Sequence, residues 1–256
     1  MEYKKISQEE LNIKLELHKK WLNKEKDGVM LDLSYYDLSD FVLKGVNLTN
    51  ANLRGVNLKG VNLEDSNLED ANLKDANLER SGLIDANLEG AILNSVNLRG
   101  SNLVGANLSG ASLRGADLSY TNSNCANLKG ADLKGADLSY ADLERVNLIN
   151  ANLERVNLSY AGLKGAYLDS ADLTEVDLRG VGLYKTDLFY AKVDNMISMG
   201  NIGNENRTVY YFYKDDRVIC GCFDDTLEEF EKAVRKKYGE ENKGYNMCLK
   251  LFESYK

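Results

Sequence analysis

The chain has 256 residues, 43% of them apolar and 28% charged, with no proline and one histidine, His18. This composition is globular rather than disordered, and one histidine cannot supply a multi-histidine metal site or a paired histidine mechanism. Of the net charge of −8, the excess lies between residues 31 and 195, where 23 acidic side chains face 15 basic ones, which disfavours direct contact with nucleic-acid phosphates.

The first residues, MEYKKISQEELNIKL, hold no continuous apolar signal segment, and no stretch reaches the roughly 18 apolar residues of a membrane span. Four cysteines (125, 220, 222 and 248) in a chain of this size do not make a disulfide scaffold, so a reducing, cytoplasmic setting is expected. Residues 7–24 predict a helix: Ser7 and Glu10 have capping-box spacing, and Gly28 follows the end. Leu11, Leu15, Leu17, Trp21 and Leu22 form a broad apolar arc that includes His18. Such an arc suits a cap over an open core, with His18 packed in it rather than serving as a ligand. The first domain is therefore residues 1–30.

From Leu31 to Asn195 the chain divides into 33 consecutive pentads with no insertion or deletion. The central residue i is Leu in 31 of them, the exceptions being Ser123 and Val193. Position i−2 is small or β-branched and i−1 mostly Asn or Asp, while i+1 and i+2 vary. A period of five fits neither the 3.6 of a helix nor the 2.0 of a strand. A short extended piece followed by a corner does fit: residues i−2 and i point inward, i−1 points out, and i+1 and i+2 turn. Gly at i+2 in 12 pentads, and Asn or Asp in eight more, suits the left-handed third position of a type II turn. Tyr, Arg or Cys at other i+2 sites suggests that some corners use a different turn.

With this register the chain resembles the pentapeptide-repeat family, whose pattern is A(D/N)LXX. The resemblance covers about two-thirds of the chain and implies a right-handed quadrilateral β-helix, an all-β solenoid. Four pentads then make one coil of 20 residues, and the second domain, residues 31–195, holds about eight coils. Some family members resemble B-DNA in shape and charge and bind DNA gyrase or topoisomerase IV, conferring quinolone resistance.

A 20-residue coil places residues 20 apart in vertical columns. Tyr120, Tyr140 and Tyr160, each preceded by Ser, should form an aromatic ladder that either stiffens the rod or offers a binding strip. Asn47, Asn67, Asn87, Asn107, Asn127 and Asn147 form an amide column able to bond along the rod. Ile84 and Val104 make a small outward apolar spot beside Gly82. Glu64, Asp65, Glu69, Asp70, Asp75, Glu79, Asp85 and Glu89 face only Lys74 and Arg80 within residues 61–90. This cluster is either a DNA-like run of charge or a solvated acidic face. Ser123, in TNSNC, should leave a gap in the leucine column between Leu103 and Leu143, its hydroxyl bonded to backbone or a trapped water. Cys125 should turn outward near Arg145.

The third domain, residues 196–256, predicts a ββαα module. Strands at 207–213 and 217–223 flank Lys214-Asp215-Asp216, Thr226 and Glu229 open a helix that ends at Tyr238 before Gly239, and a second helix runs over roughly 243–255. Outward Tyr184, Phe189 and Tyr190 would give this module a docking surface. Its ICGCFDDTLEEF segment looks like a tail found on other pentapeptide-repeat proteins, with no activity attached. Cys220 and Cys222 share one strand face in a CxC spacing, and a zinc site would want more ligands than this end of the chain has. No phosphate loop, Ser-His-Asp set or nucleophile elbow occurs.

The sequence thus specifies a non-catalytic rod with no cofactor and no metal, which binds a protein partner through its solenoid faces. The candidate surface is Tyr120, Tyr140 and Tyr160 together with the eight acidic residues. The alternative, implied by the resemblance, is a DNA mimic that binds gyrase or topoisomerase IV.

Overall fold

The computed structural model describes residues 2–178, 181–202, 207–214, 216–220, 223–239 and 242–255, with backbone alone at 197, 199–202 and 207. Its organising feature is a chain of isolated parallel bridges between residues 20 apart, such as Asn47 with Asn67, Asn67 with Asn87, and Asn87 with Asn107. The repeats therefore form a β-helix solenoid in which each coil pairs with the coils above and below.

The pentad 71–75 shows why the sequence closes in this way. The N–H of Ala71 donates to the carbonyl of Leu68, closing the corner at 3.0 Å. Asn72 N–H donates down to Ala51 O, while Leu73 and Asp75 N–H donate up to Ile92 O and Asn94 O. The remaining N–H, of Lys74, donates to the Oδ1 of Asn72 at 3.1 Å. All five donors are satisfied, one of them by the side chain at i−1, which accounts for the Asn or Asp there.

The corner residue at i+2 is left-handed almost throughout. Tyr120, Cys125 and Arg145 have φ of 59°, 58° and 56°, against 67° at Gly45. The expected second corner type is absent at these positions. Coil-to-coil pairing sets the backbone, and non-glycine residues adopt it at about 1–2 kcal/mol each. Asp40 is an i+2 residue outside the left-handed set.

Leucines fill the interior from Leu31 to Leu188, with alanine and valine at i−2 completing the walls. Buried serines at i−2 satisfy their hydroxyls within their own corners, as in Ser66 to Leu63 O and Ser101 to Leu98 O, both 2.6 Å. Ser123 is buried, and its coil keeps register through the bridges of Asn122 with Asn102 and Asp142. Its hydroxyl bonds a neighbouring side chain rather than the backbone. It donates to Thr121 Oγ1 at 3.2 Å, and Thr121 passes its own proton to Leu118 O at 2.8 Å.

At the N-terminal end, α1 (Gln8–Leu22) opens with a reciprocal capping box between Ser7 and Glu10. Leu11 is buried in the same cluster as Leu31, with Ile6 and Leu15 packed against it. His18 is fully buried and stacks on Trp21 with ring centroids 5.7 Å apart. Its Nδ1 accepts the Leu31 N–H at 3.1 Å, which places the imidazole proton on Nε2. Among the described residues Nε2 has no hydrogen-bond partner.

Beyond the repeats come four strands, β1 (Met196–Ile202), β2 (Arg207–Phe212), β3 (Arg217–Cys220) and β4 (Phe223–Asp225). They form one antiparallel sheet in chain order, followed by α2 (Leu227–Tyr238) and α3 (Lys243–Glu253). This corrects the two-stranded expectation. β1, MISMGNI, carries Gly and Asn in place of strand-forming alternation, and β4 has two aspartates in three residues, so neither announces itself. The 217–223 run also breaks into two strands, so Cys220 closes β3 rather than sharing a continuous strand face. Asp215, Gly221 and Cys222 lie outside the described residues. The sheet is buried on both sides: Tyr210, Phe212 and Ile219 join the leucine core, while Val209, Tyr211, Val218 and Cys220 pack with α2 and α3. Arg217 fastens the two bodies, donating to the carbonyls of Leu178 and Val181 and bidentately to Asp224.

Two stability predictions follow from the buried polar groups. Ser123→Ala changes unfolding free energy by less than about 1 kcal/mol, since Thr121 keeps its bond to Leu118 O, whereas Thr121→Val costs about 1–3 kcal/mol by stranding the serine hydroxyl. Urea titrations of the two variants should separate them. For His18, burial holds the pKa below its ordinary 6.5, opposed in part by the Thr49 backbone. The folded state favours the neutral ring, so its contribution is complete above pH 6.5 and is lost as the pH falls through the lowered value. The urea midpoint should decline from pH 7 to 5.5 in the parent and stay flat in His18→Gln.

Candidate interaction surface

The left-handed corners direct the i+2 side chains outward along fixed columns. Tyr120, Tyr140 and Tyr160 stack with ring centroids 4.9 Å apart at both steps and interplanar angles of 4° and 15°. The spacing is that of neighbouring β-strands, roughly 4.8 Å, so the backbone sets the ring separation. The three tyrosines remain 50%, 49% and 68% exposed. Beneath them Ser119 and Ser139 are buried, and Ser119 Oγ donates to Asp117 Oδ1 at 2.6 Å.

Sequence reasoning missed the foot of this ladder. The Arg99 guanidinium lies 4.6 Å from the Tyr120 ring centroid, and its Nη1 donates to Ser119 Oγ at 3.2 Å. The signal was available, because Arg99 occupies the i+1 site one coil below Ser119. The stack therefore reads Arg99, Tyr120, Tyr140, Tyr160, with a cation from the neighbouring i+1 column closing its lower face.

The eight acidic residues do not gather on one face. Their pentads run consecutively around the coil, so the carboxylates occupy all four corners. Lys44 pairs with Glu64 at 2.8 Å and Asp65 at 3.7 Å, Lys59 with Glu79 at 2.7 Å, and Arg54 with Asp75 at 3.4 Å. Hydrogen bonds from Lys44 and Lys59 hold the Glu64 and Glu79 carboxyls below their ordinary range. Among the described residues Glu69, Asp70, Asp85 and Glu89 make no ion pair, and Glu89 accepts from Asn107 Nδ2 at 3.1 Å. Four of the eight carboxylates are thus paired with three cations of the coil below.

The asparagine column bonds in one direction. Asn87, Asn107 and Asn127 each donate Nδ2 to the Oδ1 of the residue 20 before, at 3.1, 3.1 and 2.9 Å. Ile84 and Val104 are only half-exposed, and Cys125 is exposed. Tyr184, Phe189 and Tyr190 are also exposed, and the sheet seats on the open end of the core through Tyr210, Phe212 and Ile219. Tyr167, an i−1 residue the sequence did not single out, is exposed directly beneath Asp187. Among the described residues no three His, Cys, Asp or Glu side chains converge to hold a metal. No helix among them is long and apolar enough to cross a membrane.

A family model described as pentapeptide repeats matches the chain in eight copies, over residues 32–65, 42–80, 81–119, 126–161 and 151–188. The matches stop at 119 and resume at 126, on either side of Ser123. No curated protein matches. Among solved structures, HetL of the cyanobacterium Nostoc sp. strain PCC 7120, described as involved in heterocyst differentiation regulation, is 29% identical. That match covers 74% of this chain and 96% of HetL, with a TM-score of 0.45. A pentapeptide repeat protein of the Arabidopsis thaliana thylakoid lumen is 30% identical over 40% of this chain and 67% of its own, with a TM-score of 0.32. A trypsin-treated form of QnrB1, a plasmid-mediated fluoroquinolone resistance protein, is 20% identical over 65% and 91%, with a TM-score of 0.36.

If the stacking energy is shared rung by rung, the middle tyrosine should matter most. Tyr140→Ser loses two ring contacts and should cost about 1–3 kcal/mol, against about half that for Tyr160→Ser, which loses one. Denaturant unfolding of both variants measures the ratio; equal losses would show that the rings do not act through stacking.

Proposed function

The chain belongs to the pentapeptide-repeat family, and on that premise we propose that it is a non-catalytic rod that binds a protein partner along its outer columns. In this reading residues 31–195, about eight coils of four pentads, carry the binding faces. Residues 1–30 and 196–256 close the two ends of the leucine core, and the protein works in the reducing environment of the cytoplasm.

The observation that carries the proposal is the tyrosine ladder. Its rings stay about half exposed or more although they are stacked at 4.9 Å. Stacking on one another already restricts the rings, so a partner loses less entropy in meeting them. Tyrosine also gives large contact area with a polar tip, the usual make-up of an interface anchor.

The DNA-mimic reading, with gyrase or topoisomerase IV as target, has Glu69, Asp70, Asp85 and Glu89 in its favour. It is weakened by the spread of acid over four corners and by the lysines and arginine that pair with the rest. A mimic needs a continuous line of charge on the side its target grips.

Affinity capture from the native cell, run with the parent and with Tyr120→Ser/Tyr140→Ser/Tyr160→Ser, tests the first reading. Loss of a specific partner in a variant that keeps its far-ultraviolet spectrum is the expected result; equal capture by both removes the ladder as the interface. In a supercoiling assay with purified gyrase, the rod reading expects neither inhibition nor protection from quinolone at micromolar protein.

A further inference from the structure

The tyrosine ladder brings three phenols together while leaving each of them reachable from solvent. Tyr120 and Tyr140 lie within 4° of parallel with centroids 4.9 Å apart, and Tyr140 and Tyr160 repeat the spacing at 15°. Successive rungs differ by one strand spacing, so each ring carbon lies roughly 5 Å from its counterpart on the next rung. The rings are 50%, 49% and 68% exposed. A modest tilt in solvent can therefore bring the carbons beside two hydroxyls into contact without disturbing the leucine core.

Other tyrosines lack one part of this arrangement. Tyr167 and Tyr190 are exposed, but the ring against Tyr190 is Phe189, and Tyr167 meets no tyrosine ring among the described residues. Tyr245 stacks on Tyr238 at 5.0 Å but is buried. Tyr213 and Tyr255 are 5.6 Å apart and tilted by 36°, and the Tyr213 hydroxyl donates to Asp194 O at 2.9 Å. Access, parallel rings and strand spacing coincide at the ladder, with Tyr140 shared by both of its steps.

We propose that the ladder is an oxidative modification site, at which Tyr140 is joined to Tyr120 or Tyr160 as dityrosine and adjacent coils are stapled. The oxidant is hydrogen peroxide acting through a haem peroxidase. Each phenol gives up one electron and its hydroxyl proton, leaving a phenoxyl radical. The two radicals form one carbon–carbon bond between positions beside the oxygens, and the hydrogen on each of those carbons moves to its oxygen. The two electrons and two protons reduce one peroxide to two waters, so the linked chain is lighter by two hydrogens. Holding the rings one rung apart replaces a chance encounter of radicals by an intramolecular step. The link joins residues 20 apart and restrains the unfolded chain as a disulfide would. This inference rests on the stack and requires no protein partner at the ladder.

The test treats the full chain with a haem peroxidase and equimolar hydrogen peroxide, then reads dityrosine fluorescence and tryptic peptide masses. Trypsin separates the three rungs, since Tyr120, Tyr140 and Tyr160 fall in peptides 115–129, 135–145 and 156–164. The monomeric product should contain peptide 135–145 joined to 115–129 or to 156–164, less two hydrogens, and its urea midpoint should rise. Tyr140→Phe keeps the stack and should lower dityrosine yield at least about fivefold, while Tyr167→Phe leaves it unchanged. No dityrosine in the monomer, links found only between chains, or a main link between Tyr213 and Tyr255 overturns the site. An undiminished yield in folded Tyr140→Phe does the same, and a linked monomer with an unchanged midpoint overturns the staple.

Discussion

Everything in the solenoid depends on closing the hydrogen bonds of a five-residue unit. The backbone of a coil supplies donors to the corner, to the coil below and to the coil above, and one N–H per pentad is left over. A side-chain oxygen at i−1 takes it, as Asn72 Oδ1 takes the N–H of Lys74. Where i−1 is Ser112, the coil below helps: Arg114 N–H donates to Asn94 Oδ1 at 3.0 Å. Leucine is constant because the interior is one side chain deep, and position i−2 stays small because it shares that interior. The corner conformation follows from the pairing and is imposed on tyrosine and arginine alike.

Such a backbone turns the surface into columns, and this decides how charge and rings behave there. Like charges 20 residues apart would lie about one strand spacing from each other and repel. Some columns alternate sign, as in Lys44 below Glu64, Lys134 below Glu154 and Arg155 below Glu175, while Asp65 and Asp85, and Glu69 and Glu89, keep like charges 20 residues apart. The exposed ion pairs add little stability. Their consequence is that part of the acidic excess is offset locally by cations of the adjacent coil. Rings behave oppositely, since identical aromatics attract when stacked, and the tyrosine column persists for three coils.

The interior and the columns were legible in the sequence because a period of five with a constant leucine admits one register. Tyr120, Tyr140 and Tyr160 could be placed by counting, and the stack followed. What counting could not give was anything that joins different columns or ends the repeat. Arg99 reaches the ladder from the i+1 column, 20 residues before Ser119 rather than before a tyrosine, so counting along the tyrosine column does not mark it. β1 was hidden because its segment, MISMGNI, has the composition of a loop and becomes a strand only by pairing with β2. Residues at 207–213 were recognisable as a strand, yet their alternation did not say that both faces would be buried.

The ends explain why the aromatics of the last coils remain outside. A solenoid leaves one open cross-section of its core at each end, and burying leucine there contributes more than covering side-wall tyrosines. The sheet therefore lies across the end, with Tyr210 and Phe212 against the leucines and the Tyr210 hydroxyl accepting the Leu188 N–H at 3.2 Å. Arg217 completes the join by donating to the carbonyls of Leu178 and Val181; one coil earlier the matching carbonyl of Ala161 accepts the N–H of Gly182 from the next coil. Because the sheet must present one apolar face to the core, its other face needs α2 and α3. Those helices are thus a product of how the solenoid is ended, and they lie outside the period that governs the rest of the chain.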